Sequence, residues 1–279
     1  MPMKRFVPLA EVALVLILFL VIRVALKHAE FGDWQVSLFG RALFSSGLLF
    51  FVLPLTVVLI SGRSPGSCGL TTENLRYHSR AALRAMAFVM PATMLFPVIA
   101  FLGTNPREWL GASILTVGFA VGGLLFAKNS RDLTRPDHSN LSWNGLSVYI
   151  VILVVSLTAI YLLQPLSPLA ARLVSVLIFV GFLEEFFFRG YVQSRFNDCF
   201  GKPFVFKGVK FGLGMILAAV VFGLMHPLTV ENETPWAWAL WTTMGGLVFG
   251  FLREKTGSVV APAMLHGAIW IPGVLFGPG

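Results

Sequence analysis

Runs of roughly 20 mostly apolar residues recur along this chain. A run of that length is what an α-helix needs to cross the hydrocarbon core of a bilayer. Nine segments qualify, at about 6–25, 42–60, 85–102, 109–127, 146–163, 169–188, 211–226, 237–252 and 259–276. The last contains Pro262 and Pro272, so it is expected to be short or broken, and the count is eight to nine. The first is too long for a signal-peptide core, has no small-residue cleavage site and is followed by further spans, so it reads as retained. Composition points the same way. Of 279 residues, 56% are apolar and 12% charged, against about 25% charged in a soluble domain. That balance, with a mean hydropathy of +0.80, excludes an ordinary soluble enzyme and a disordered chain. The expected fold class is all-α: a polytopic transmembrane helix bundle, with residues 1–164 and 165–279 integrated in one membrane body.

A net charge of +8 in such a chain reflects basic cytoplasmic loops rather than nucleic-acid binding. With nine spans, the N-terminus and the loops near 61–84, 128–144, 189–210 and 253–257 share one side of the membrane. They carry 16 of the 21 Lys and Arg residues, among them Lys4, Arg5 and Arg135, and leave Arg23, Lys27, Arg41, Arg107 and Arg172 on the other side. The N-terminus is therefore expected in the cytoplasm and the C-terminus outside, in what the style of the chain suggests is a prokaryotic plasma membrane. Cys68 and Cys199 then face the reducing side, and neither has a nearby His that would make it a nucleophile. The segment Glu73–Arg84 reads equally as an interfacial amphipathic helix on anionic headgroups and as a solvated basic loop. Gly118-x-x-x-Gly122 and Gly246-x-x-x-Gly250 read as close helix-packing points.

An ionisable residue inside a membrane marks a functional site by default. Glu11 and Arg23, near the ends of the first span, are expected to snorkel. The others cluster late: Glu184, Glu185, Arg189, His226 and His266. On a helix, Glu185 and Arg189 are four apart, acid before base, which suits an ion pair. Glu184 points about 100° away, free to face a cavity. Three phenylalanines, 186–188, keep water off the pair, and a dehydrated carboxylate is a stronger base. A carboxylate base, two imidazoles and a water can attack a carbonyl and donate hydrogen bonds to the oxyanion that forms. Glu184, His226 and His266 could instead hold zinc, since one Glu and two His with an open position form a known catalytic set. No His-Glu-x-x-His motif supports that choice, and the sequence requires no cofactor.

The motifs Glu184-Glu185-x-x-x-Arg189, Phe222-x-x-x-His226 and a final His266 resemble those of the CPBP intramembrane proteases. This superfamily includes the type II CAAX prenyl endopeptidases and the bacteriocin-processing, or Abi, proteins. Gly246–Gly250, Lys255-Thr-Gly-Ser258 and Ala261-Pro262 resemble the family's last core helices. The resemblance spans roughly 165–275 and implies a protease core in the C-terminal half. It implies that Glu184 activates the water with help from His226. His266 would stabilise the oxyanion, and Glu185 and Arg189 would support the site. Where the family usually has a small polar residue four positions after the last His, this chain has Trp270, whose indole donates but cannot accept.

The leading expectation is a glutamate-type intramembrane endopeptidase acting on a membrane-anchored protein or peptide tail. The alternative, favoured by Trp270, is a catalytically silent membrane scaffold or immunity protein. A proton-coupled carrier would need two related halves, which the sequence lacks. Simple alternation of spans sets Glu184 and His226 on the order of 15 Å apart in depth, unless the sixth helix runs on past Arg189 towards Phe200.

Overall fold

The computed structural model describes residues 6–28, 31–105, 107–133, 144–229 and 236–276. Lys4, Arg5 and Arg135, counted above for orientation, lie outside them. Helix α1 (Val7–His28) is followed by α2 (Phe31–Phe39) and by a helical run of α3 (Leu43–Gly47), a π-turn and α4 (Leu53–Ile60). Then come α5 (Leu75–Thr93), α6 (Leu95–Phe101), α7 (Trp109–Asn129) and α8 (Asn144–Leu163). A single long helix occupies 168–200. It begins as α9 (Pro168–Val174) and winds as π-helix over Ser175–Leu183 and Phe186–Val192. It ends as α10 (Gln193–Phe200). An antiparallel hairpin, β1 (Phe204–Phe206) with β2 (Val209–Phe211), turns the chain back into α11 (Leu213–Thr229). Helices α12 (Trp236–Thr256), α13 (Val260–Ile269) and α14 (Ile271–Phe276) complete the described residues.

Among the described residues, five helices are long and apolar enough to cross a membrane: Val7–Lys27, Leu43–Ile60, Leu75–Ile99, Trp109–Asn129 and Gly145–Leu163. The protein is an integral membrane protein. All five lie in the first 164 residues and expose much of their apolar surface, for example Leu14, Ile17, Val21, Val151 and Val155. Of the later helices, α12 and α13 are largely buried, while α11 still exposes Leu213, Ile216, Val220 and Leu224. Two, Leu213–Leu228 and Val260–Leu275, are short for a span.

The segment Glu73–Arg84 is not a separate surface helix. Its residues from Leu75 onward are the first turns of α5, continuous with the third span. The glycine pairs behave as packing points. A Cβ on Gly122 would meet the Phe88 carbonyl at 2.5 Å, and one on Gly250 would meet Met215 at 2.8 Å.

Glu11 does not snorkel. It accepts hydrogen bonds from Arg63 (2.7 Å), Tyr191 (2.8 Å) and both Nε and Nη2 of Arg195 (3.1 and 3.0 Å). The first span is thereby tied to the long helix and to the turn after α4. Hydrogen bonds to a charged group contribute about 1.5–3 kcal/mol each, and two arginines would lose their acceptor together. Glu11→Ala is therefore expected to lower stability by roughly 2–4 kcal/mol, read as a lower unfolding temperature in detergent.

Candidate active site

The site is built where the long helix crosses α13 at backbone contact. A Cβ on Gly181 would lie 2.6 Å from the Ala263 carbonyl, and one on Gly267 would lie 2.8 Å from Cα of Leu177. Only glycine at both positions lets the helices approach this closely. That approach presses His266, beside Gly267, against the carboxylate one turn beyond Gly181.

Glu185 is fully buried. Its Oε1 accepts from Arg189 Nη1 at 2.8 Å and from His266 Nδ1 at 2.8 Å. The expected Glu185–Arg189 pair is present and carries the second histidine as a third member. Burying a guanidinium is costly unless its charge is met on several sides. Here its carbon stands 4.2 Å from the centre of the Phe222 ring, 5.1 Å from Phe249 and 5.8 Å from Phe188, within cation–π range. A Cβ on Gly246 would stand 3.1 Å from Arg189 Nη2, so that glycine makes room for the guanidinium. His266 stacks on Phe249, with centroids 4.8 Å apart and planes at 20°.

His226 reaches the same cluster through Phe222. The Phe222 ring lies 4.7 Å from the His226 ring and 5.6 Å from the His266 ring. His226 Nδ1 lies 2.8 Å from the Phe222 carbonyl oxygen. A carbonyl only accepts, so Nδ1 carries the proton and Nε2 keeps a lone pair. Both imidazoles are thus anchored at Nδ1.

The depth mismatch of simple alternation does not arise, because the long helix continues to Phe200. The hairpin sends α11 back antiparallel to it. Phe188 and Phe222 meet edge to face at 5.0 Å. In antiparallel helices, four residues before Phe188 and four after Phe222 fall at one level. Those residues are Glu184 and His226.

Glu184 sits between the two π-wound stretches and turns away from Glu185. Such winding is rare and recurs at functional positions. Glu184 is half-buried and makes no hydrogen bond with any described residue. It lines a small cavity of about 60 Å³ with Arg41, Ser46, Phe50, Ser175 and Phe179. Ser175 and Arg41 also line a larger neighbouring space. Sequence reasoning treated Arg41 and Arg172 as ordinary loop charges. The place of Arg41 beside Glu184 depends on how the turn between α2 and α3 packs against the long helix, and no local pattern encodes that.

Trp270 ends α13. Its ring faces Trp241, with centroids 6.4 Å apart, and with Thr93, Phe96 and Phe119 it closes a seam between α5, α7 and α12. Its indole nitrogen is buried without a partner among the described residues. No described contact links it to Glu185, His226 or His266.

Among the described residues, no three His, Cys, Asp or Glu side chains come together as a metal site. His226 and His266 are each anchored at Nδ1, which leaves Nε2 of each as the outward-facing nitrogen. Cys68 is buried in the turn Pro65–Cys68, and burial pushes its thiol up from its ordinary value, which leaves it inert as a nucleophile.

Comparison with known proteins identifies the class of this core. Residues 165–271 match the family model for Rce1-like proteins, the type II CAAX prenyl endopeptidases. The matched part contains all five motif residues, Glu184, Glu185, Arg189, His226 and His266. No curated protein and no solved structure matches the chain.

Proposed function

We propose that this protein is an intramembrane endopeptidase in which Glu184 activates a water for attack on a peptide bond. The observation that carries the reading is the division of labour between adjacent carboxylates. Glu185 is committed to Arg189 and His266, while Glu184 lacks a hydrogen-bond partner among the described residues and opens on a cavity. Water gives a proton to Glu184 as its oxygen bonds to the carbonyl carbon. His266 acts in its doubly protonated form: with Glu185 accepting at Nδ1, it donates from Nε2 to the oxyanion. Collapse breaks the C–N bond, and the proton held by Glu184 passes to the departing amine. His226, at the level of Glu184, accepts a hydrogen bond from the water at Nε2. The chemistry needs no metal from these side chains.

The substrate is a membrane-anchored protein or peptide tail. In this reading the helices after residue 165 lie within the bilayer, giving eight to nine membrane segments, with residues 1–164 walling the protease core. The N-terminus faces the cytoplasm, and Arg41 and Arg172 lie toward the outer end of the bundle.

The reading is tested by reconstituting the protein in vesicles with lipid-anchored reporter peptides and sequencing the products. New peptide ends support it. A folded protein that cuts none of them supports the silent scaffold, the reading Trp270 favours. His226→Ala is expected to lower kcat by about 10–10³-fold, since a single proton-handling group contributes roughly that order. The unfolding temperature should change little, because His226 is only half-buried.

A further inference from the structure

The third span, Leu75–Ile99, begins in charge and continues apolar along one face. Arg76, Arg80, Leu83, Ala87, Pro91 and Met94 are all exposed, and their steps of three and four keep them on one side of the helix. The two arginines stand beside a half-open hollow of about 340 Å³, lined by Asn74, Arg76, Tyr77, Arg80, Asp132 and Leu133. One turn further on, Arg84 is already committed. It donates to Asp132 Oδ1 and, at 3.1 Å, to the Asn129 carbonyl. That pair ties the start of α5 to the end of α7 and meets the charge of the acid on the wall. Arg76 and Arg80 have neither an ion pair nor a hydrogen bond with any described residue. The hollow therefore keeps the positive charge of both.

Two guanidinium groups one helical turn apart suit a phosphate held between them. The rest of the stripe says what else the occupant carries. One leaflet of the hydrocarbon core is about 15 Å deep, or roughly ten residues of helix. From Arg80, that length takes in Leu83, Ala87 and Pro91. A soluble anion or an acidic protein segment would use the arginines and leave the stripe idle, whereas a phospholipid uses both. We infer that the hollow binds the headgroup of one anionic phospholipid, with its phosphate between Arg76 and Arg80 and an acyl chain along Leu83, Ala87 and Pro91. Basic hollows at the ends of membrane helices hold acidic headgroups by the same attraction. A zwitterionic lipid fits less well, because its own cation is repelled by the same pair. The bound lipid fastens the start of α5, which packs along α13, the helix that carries His266.

This site stands apart from the endopeptidase reading, and its test needs no cleavage. The full-length protein in neutral detergent is titrated with short-chain phosphatidylglycerol and with the matching phosphatidylcholine. Bound lipid is counted by native mass spectrometry, and the unfolding temperature is followed in parallel. One phosphatidylglycerol is expected to bind about 10–100-fold more tightly than phosphatidylcholine, as two arginine contacts imply, and to raise the unfolding temperature. The preference should be lost in the double variant Arg76→Gln with Arg80→Gln. It should survive Lys128→Gln with Arg131→Gln, which removes the same charge at the neighbouring end of α7. All four side chains are exposed, so the unfolding temperature without lipid is expected to stay unchanged in both. Inorganic phosphate and a soluble oligoglutamate peptide should not displace the lipid at its own concentration. Equal binding of the two lipids, or equal losses in the two double variants, would overturn the site and leave only the diffuse attraction of a basic surface. Displacement by phosphate or by the peptide would overturn the lipid and assign the arginines to a soluble anion or an acidic protein.

Discussion

Glu185→Ala is expected to destabilise the protein by about 3–5 kcal/mol, the cost of leaving a buried charge without its partner. Arg189 and Glu185 are both 0% exposed, and the carboxylate is the only acceptor found for Arg189 among the described residues. The three aromatic rings around the guanidinium soften the loss but accept no hydrogen bond in the plane of its N–H groups. His266 would lose its anchor in the same step, because its Nδ1 bonds the same oxygen. The expected result is a protein with a much lower unfolding temperature and no activity. A double change, Glu185→Leu with Arg189→Met, should recover part of the stability without recovering activity, since removing both charges removes the burial cost. Thermal unfolding in detergent reads both outcomes. An unfolding temperature for Glu185→Ala within a degree or two of wild type would refute the supporting role.

Glu184→Gln is expected to do the opposite. It keeps the shape of the side chain, breaks no hydrogen bond with a described residue and removes the carboxylate proposed to take a proton from water at the cavity wall. Cleavage should fall by about 10²–10⁴-fold, the usual contribution of a positioned general base, with no loss of stability. In the proposed mechanism the adjacent glutamates divide their work, one structural and one chemical. Loss of a phenotype at unchanged protein level would carry the same conclusion in cells.

Much of this was legible in the sequence. The apolar runs located four of the five spans of the first half to within a few residues, and the third begins ten residues before its expected start, at Leu75. The acid-before-base spacing of Glu185 and Arg189 forecast their ion pair, and the need of buried charge for partners forecast that His266 would join it. The 100° step between neighbours forecast that Glu184 would face elsewhere.

What escaped was long-range. The anchoring of Glu11 by Arg63, Tyr191 and Arg195 joins residues 52, 180 and 184 positions apart, so a local reading could only place Glu11 near an end and let it snorkel. The π winding around Glu184 has no pattern of residues that announces it. Glycines at 181 and 267 could be seen, but not that they face one another. The basic segment before the third span was separated from it because its charges changed the hydropathy, although the helix simply continues.

The central claim is that Glu184 is the water-activating base of a hydrolase. Its most direct test is the single-turnover cleavage of one lipid-anchored peptide by wild-type and Glu184→Gln protein, reconstituted in the same vesicles at matched unfolding temperature. The account predicts a wild-type product with a new carboxyl end and a rate at least about 10²-fold lower in the variant. Equal rates would contradict it.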